Sequence, residues 1–139
     1  MKIRPFAVAD EEAVTALWIT CDLVRPWNDP VKDIRRKLGV DPERFLVGEV
    51  DGKIVGSLMA GYDGHRGWLN YLAVDPAFRR RGYGRRLVNA AENLLRAAGC
   101  LKINLQIRAE HRDVIAFYQS LGFAVDEVAS MGKRLEQDG

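Results

Sequence analysis

The period of the apolar positions changes several times along the chain, and each change marks an element. Lys2 to Arg4 reads as a short strand. From Asp10, a residue type suited to an N-cap and followed by Glu11 and Glu12, the apolar residues Val14, Leu17, Trp18 and Cys21 recur at helical spacing. A first amphipathic helix is predicted there. Asp29 and Pro30 supply a cap and an N1 proline for a second, short helix, with Val31, Ile34 and Leu38 on one stripe and Gly39 as its stop. After Asp41-Pro42 come two β-rich runs, Phe45 to Val50 and Ile54 to Met59, around an Asp51-Gly52 turn. This is a hairpin signal. Trp68 to Val74 is a largely apolar strand ended by Asp75-Pro76. Tyr83 to Ala98 returns to helical spacing through Leu87, Val88, Ala91, Leu94 and Leu95, with Gly99 ending it. Leu101 to Ile107 reads as strand and Arg112 to Leu121 as helix, and Gly122 precedes a last β segment from Phe123. The order β-α-α-β-β-β-α-β-α-β predicts an α/β fold with a mixed sheet flanked by helices.

A chain of 139 residues fits one hydrophobic core, so residues 1–139 are expected to form one domain. With 47% hydrophobic and 29% charged residues the composition excludes an intrinsically disordered chain. No run of about 18 apolar residues occurs, and the first twelve residues carry charges and a proline where a signal peptide needs an apolar stretch. A cytoplasmic protein with no membrane partner is expected. Twenty-one basic against nineteen acidic residues leave a net charge of +2, which argues against a surface that tracks nucleic acid. The two cysteines and two histidines lack CxxC or HxxxH spacing, so no disulfide framework and no metal site are expected.

Charge is concentrated in one place. Arg79, Arg80, Arg81, Arg85 and Arg86 surround Gly82 and Gly84, between a predicted strand and a predicted helix. A helix N-terminus offers unpaired N–H groups and the positive end of its dipole, and glycines let a ligand approach the backbone. The stretch is therefore a candidate phosphate cradle, although glycine pairs also make plain tight turns with solvated arginines around them.

Arg79-x-x-Gly82-x-Gly84, preceded by Val74-Asp75-Pro76, resembles the (Gln/Arg)-x-x-Gly-x-(Gly/Ala) acyl-CoA motif of the GCN5-related N-acetyltransferases, the GNAT family. Phe117-Tyr118-Gln119-Ser120-Leu121-Gly122-Phe123 is similar to the end of that family's closing helix. The blocks Arg25 to Pro30 and Tyr62 to Gly67 further resemble its small bacterial YpeA-like members. The resemblance implies acetyl-CoA as co-substrate. Backbone amides from Arg80 through Tyr83 to Arg85 would hold the pyrophosphate, and Leu72, Ala73 and Val74 would meet pantetheine where two parallel strands splay apart. It also implies an acetyl transfer to the primary amine of a small molecule, amino acid or peptide N-terminus.

In that reading Tyr118 is the general acid that protonates the departing thiolate. Many relatives carry a glutamate on the strand before the cradle, and here that slot is Asn70, which cannot act as a base. Glu49, Asp63, His65 and Asp22 remain as candidate bases, Glu49 and His65 foremost as catalytic residues. His111 stands where the family often has a cofactor-contacting asparagine. The acceptor cleft of the fold would draw on Arg25, Trp27, Asn28, Tyr62, Asp63, His65 and Arg66, a mixture suited to a small zwitterionic amine or a peptide terminus. A catalytically silent acyl-CoA-binding or regulatory domain is the alternative, and a homodimer stays open.

Overall fold

The structure, a computed structural model, describes residues 1–138. Five strands form one sheet in the order β1-β2-β3-β4-β5: β1 (Lys2–Pro5), β2 (Phe45–Val50), β3 (Lys53–Tyr62), β4 (Gly67–Val74) and β5 (Ile103–Asn104). The first four are antiparallel and β5 runs parallel to β4, which makes the sheet mixed. The helices are α1 (Glu11–Thr20), α2 (Pro30–Leu38), α3 (Tyr83–Ala97) and α4 (Arg112–Ser120). The chain is thus α/β, in the element order the sequence predicts through α4.

Strand alternation divides the core between the two faces of the sheet. Phe45, Val47 and Met59 pack on one side with Val14, Leu17 and Trp18 of α1 and Ile34 of α2. Leu46, Leu58, Ala60 and Leu69 pack on the other with Leu87, Val88, Ala91 and Leu95 of α3 and Tyr118 of α4. Each fully buried aliphatic side chain contributes about 1.5–3 kcal/mol, so these two stripes fix both helical layers to the sheet.

The local signals explain most of the boundaries. Asp29 caps α2 as expected, its carboxylate accepting from the N–H groups of Val31 and Lys32, with Pro30 at the first position and Gly39 at the end. Asp51 and Gly52 both take positive φ, 49° and 78°, which makes the two-residue hairpin turn. Asp10 differs from expectation. It makes no side-chain cap to α1, because its carboxylate is taken by the Ala7 N–H and by the Arg4 guanidinium at 2.7 and 3.0 Å.

Two expectations fail at the C-terminal side. β5 is two residues long rather than Leu101 to Ile107, and no strand forms from Phe123 among the described residues. After α4 the chain runs as an irregular tail with Val125, Val128, Met131 and Leu135 exposed. Their spacing of three and four residues lacks the alternation of two that a half-buried strand needs. Side chains hold the tail instead: Lys102 to Asp126 at 2.9 Å, Gln106 to Ser130, and Arg36 to Asp138 at 2.8 and 3.0 Å.

Candidate active site

The site begins where β4 and β5 part. Their pairing consists of Gly67 with Ile103 and Trp68 with Asn104, yet β4 continues six residues further to Val74. From Leu69 onward the edge of β4 that faces residues 105–109 has no ladder partner among the described residues, so a cleft opens between the two segments. Asn104 Oδ1, at the point of parting, is buried and unpartnered among the described residues.

A bulge shapes the middle of β4. The register with β3 passes from Met59 opposite Asn70 to Ser57 opposite Ala73, and Tyr71 takes φ +55°. A left-handed tyrosine costs about 1–2 kcal/mol, so its surroundings must hold it. Ser57 Oγ donates to the Tyr71 carbonyl at 2.9 Å while accepting from Trp18 Nε1 at 2.8 Å, and the Trp18 and Tyr71 rings stack 3.8 Å apart. The Tyr71 hydroxyl donates to Asp33 Oδ2 at 2.6 Å. Burial first, and then that carboxylate, push the Tyr71 phenol well above its usual range.

At the end of β4, Asp75 closes a short turn by accepting from the Ala77 N–H at 2.9 Å. Arg80 at φ +64° and Gly82 at φ +76° then curl the chain into the start of α3. Turns in which left-handed residues alternate with others form anion-binding concavities, and Tyr83, Gly84 and Arg85 lie in the first helical turn, where N–H groups lack helical acceptors. The first bond that closes α3 is Arg86 N–H to Gly82 O at 3.1 Å. A Cβ on Gly82 would meet nothing within 4 Å, so the approach to this loop is open. The arginines divide the work: Arg79 braces the loop through the Val74 carbonyl at 3.2 Å, Arg81 lies over the Phe78 ring, and Arg86 reaches the Met1 carbonyl at 2.7 Å. Arg80 and Arg85 are exposed and have no acidic partner among the described residues.

Tyr118 is 6% exposed on the α3 side of the sheet, with Phe117 and Phe123 edge-on to its ring at 5.1 and 5.3 Å. Burial alone pushes its phenol up to about 12, so the hydroxyl keeps its proton at neutral pH. Leu72, Ala73 and Val74 lie on the part of β4 that pairs with β3 but extends beyond its pairing with β5. His111 occupies the N-cap position of α4 without a side-chain cap; its carbonyl accepts from the Ile115 N–H at 3.1 Å while the imidazole is exposed.

The remaining predicted residues separate into two groups. Trp27 and Asn28 lie on the connection between α1 and α2, with Arg108 over the Trp27 ring and Asn28 Nδ2 on Asp33 at 3.1 Å. Arg25 belongs to the same loop and donates to the Asp22 carbonyl at 2.7 Å. Tyr62, Asp63, His65 and Arg66 instead sit at the hydrogen-bonded end of β4, away from the cleft. There the Tyr62 hydroxyl reaches the carbonyls of Gly64 and Gly99 at 3.3 and 3.5 Å. Asp63 Oδ1 accepts from the N–H groups of Arg66 and His65 at 2.7 and 2.8 Å, and Trp68 Nε1 donates to Oδ2 at 3.2 Å. Those donors hold the Asp63 carboxyl below its usual range. Glu49 is two strands away from β4 and accepts from Arg4 Nε at 3.1 Å. Neither Glu49 nor His65 is brought to the cleft.

The structure adds residues that spacing did not reveal: Asp33, Tyr71, Asn104, Arg108 and Arg134. An open cavity of about 1380 Å³ also runs along β5, bounded by Tyr118, the C-terminal half of α3 and the tail, and the loop from Arg79 to Arg86 does not line it. Among the described residues no group of three His, Cys, Asp or Glu side chains is placed to hold a metal ion, and no helix is long and apolar enough to cross a membrane.

The sequence model of the Acetyltransferase (GNAT) family matches residues 12–123. The chain belongs to the GNAT acetyltransferase family. It is 51% identical over 138 residues to an acetyltransferase of Yersinia enterocolitica, covering 99% of this chain and 98% of that protein. An acetyltransferase of Pectobacterium atrosepticum is 51% identical over the same length and coverage. Among solved structures, Ard1 from Thermoplasma volcanium superposes with a TM-score of 0.74 at 26% identity, over 90% of this chain and 83% of that one. The GNAT fold is also shared with the aminoglycoside acetyltransferase AAC(6')-Iy in complex with a bisubstrate analogue, at a TM-score of 0.78 and 22% identity, over 96% and 97% of the two chains. The resemblance read from Arg79 to Gly84 and Phe117 to Phe123 thus holds over nearly the whole chain.

Proposed function

We propose that this GNAT protein is an acetyl-CoA-dependent N-acetyltransferase acting on the primary amine of a small molecule, an amino acid or a peptide N-terminus. The observation that carries this reading is the parting of β4 and β5 after Trp68 and Asn104, beside the open N-terminus of α3. Acetyl-CoA supplies an activated thioester, and the residues present suit it chemically. Amides of Arg80 to Arg85, with the free guanidinium groups of Arg80 and Arg85, match a pyrophosphate. The unpaired edge of β4 at Leu72, Ala73 and Val74, together with Asn104 Oδ1, offers partners to the amides of pantetheine.

Tyr118 serves as the proton donor. A phenol raised to about 12 is fully protonated at pH 7, and it gives its proton to the sulfur as the C–S bond breaks and the C–N bond forms. The acceptor nitrogen must arrive neutral. With Asn70 on β4, Glu49 held by Arg4 and His65 outside the cleft, its proton leaves to water. That favours an α-amine, whose pKa of about 8 leaves a usable neutral fraction at pH 7, over a lysine at about 10.4.

Asn70 in place of a glutamate on β4, with Glu49 and His65 outside the cleft among the described residues, favours as a second reading an acyl-CoA-binding domain without turnover. Calorimetric titration with acetyl-CoA followed by CoA release with a panel of amines separates the two. Micromolar binding with release of CoA supports the transferase, binding without release supports the silent domain, and no binding removes both.

A further inference from the structure

The acceptor side of the cleft carries positive charge that the fold leaves uncompensated. Of the cations near it, Arg25 is engaged by Asp22 through both its carbonyl, at 2.7 Å, and its carboxylate, at 3.4 Å. Arg36 binds Asp33 and Asp138, and Arg66 lies at the closed end of β4. Arg108 and Arg134 remain. Arg108, on the segment that leaves β5, lies 5.4 Å from the centre of the Trp27 ring. Arg134, on the tail, donates to the Trp27 carbonyl at 3.1 Å and to Asn28 Oδ1 at 3.4 Å. Neither guanidinium has a carboxylate within 4.0 Å among the described residues. Both are exposed, and Trp27 is 44% exposed between them.

Three chain segments far apart in sequence therefore bring two guanidiniums without a carboxylate partner to Trp27, Arg108 to its ring and Arg134 to its backbone carbonyl. Asp33, the carboxylate that Asn28 Nδ2 contacts, also accepts from the Tyr71 hydroxyl and from Arg36, so its charge is already answered. The cradle loop lies at the start of α3, whereas Trp27 lies on the connection between α1 and α2 and Arg108 on the segment between β5 and α4. The two cationic patches are thus built from different segments. A guanidinium fork recognises carboxylates in two-pronged fashion, and an indole face beside it excludes water from one side of the pair.

Building on the transferase reading above, we infer that the acceptor is an amine that also bears a carboxylate, held by Arg108 and Arg134 against Trp27. A free amino acid and a short peptide share that chemistry. Cationic polyamines do not, because their second ammonium would face the two arginines.

The test is acetyl transfer, followed by CoA release, to free amino acids and X-Gly dipeptides, each beside its C-terminal amide, with spermidine as the cationic comparison. A charge-assisted hydrogen bond is worth about 1.5–3 kcal/mol, so kcat/KM for the carboxylates should exceed that for the amides by roughly 10- to 100-fold. Arg108→Gln, which alters only the contact with Trp27, should shrink that ratio severalfold through KM while the Kd for acetyl-CoA stays unchanged. Arg108→Gln combined with Arg134→Gln should bring the ratio near one. Equal use of amides, preference for spermidine, or acetyl-CoA binding without transfer to any carboxylate-bearing acceptor overturns the inference and leaves the cofactor site standing. A weakened acetyl-CoA Kd in Arg108→Gln with the ratio intact reassigns Arg108 to the cofactor and also overturns it. Failure of the wild-type protein to bind acetyl-CoA removes the transferase reading itself.

Discussion

The Phe117 ring lies 3.2 Å from the point that a Cβ on Gly84 would occupy, and Val74 Cγ2 stands 3.8 Å from the same point. The second glycine of the cradle is therefore a packing residue that seats α4 against the start of α3 and the end of β4. Gly84→Ala requires the Phe117 ring to give by a few tenths of an ångström, and the cost depends on how far it can yield. Overpacking of this kind costs about 1–3 kcal/mol. Thermal unfolding should show that loss, and turnover should fall with it even when the acetyl-CoA Kd changes little.

Gly82 behaves in the opposite way. Its φ of +76° strains any side chain, but a Cβ there meets nothing within 4 Å. Gly82→Ala should cost about 1–2 kcal/mol in backbone strain and place a methyl group where an anion would approach the loop. The expected result is a clear rise in the calorimetric Kd for acetyl-CoA beside a modest loss of stability. An unchanged Kd would move the anion site away from this turn.

The contrast between these two glycines marks how far sequence reading reaches here. Spacing puts both in the candidate cradle, since a short strand-loop-helix signal is local, but that Gly84 is covered while Gly82 stays open depends on Phe117, far along the chain. Local chemistry likewise made the Asp51-Gly52 hairpin and the Asp29 cap legible. The strand expected from Phe123 does not form among the described residues: Val125, Val128, Met131 and Leu135 lack a strand period and stay exposed, while Asp126, Ser130 and Asp138 make the tail's contacts. Arg108 and Arg134 carry no motif at all. Arg134 meets Trp27 across 107 positions, a proximity that only the assembled fold creates.

Asp63 offers a further check, since the family resemblance implies an acceptor ligand and its contacts make it a loop brace. Its carboxylate orders the β3–β4 connection through Arg66, His65 and Trp68. Asp63→Ala should lower the melting temperature and loosen this loop in hydrogen exchange, with the acceptor KM unchanged. A raised acceptor KM at unaltered stability would restore the substrate role.

The tail should respond to acid. Arg36, and then the Asp29 N–H, hold the Asp138 carboxyl down at about 2, below the usual carboxylate range. A depressed pKa means that the docked tail gains its stability above about pH 4 and loses it as the pH falls toward 2. Hydrogen exchange over residues 123–138 should rise in that window while β2 and β3 stay protected. Asp138→Asn should show the faster exchange already at neutral pH, and an acid step that persists in this variant would assign it to another carboxylate.

Tyr118 links acid catalysis to alkaline stability. Replacing its hydroxyl should remove a general acid worth about 10² to 10⁴ in rate, so Tyr118→Phe should keep acetyl-CoA binding and lose turnover on that scale. In the wild type, the rate should rise with pH as the acceptor amine deprotonates and should not fall until the phenol itself ionises near about 12. The sign for folding follows from the same shift. A phenol raised in the folded state favours that state fully below the unfolded value of 10.0, and the advantage drains away as pH climbs from there toward about 12. Alkaline unfolding curves should therefore be shallower above pH 10 for Tyr118→Phe than for the wild type. An identical slope in the two proteins would mean that the hydroxyl is solvated rather than buried, and with that the proton donor would lose the environment that keeps it charged with its proton.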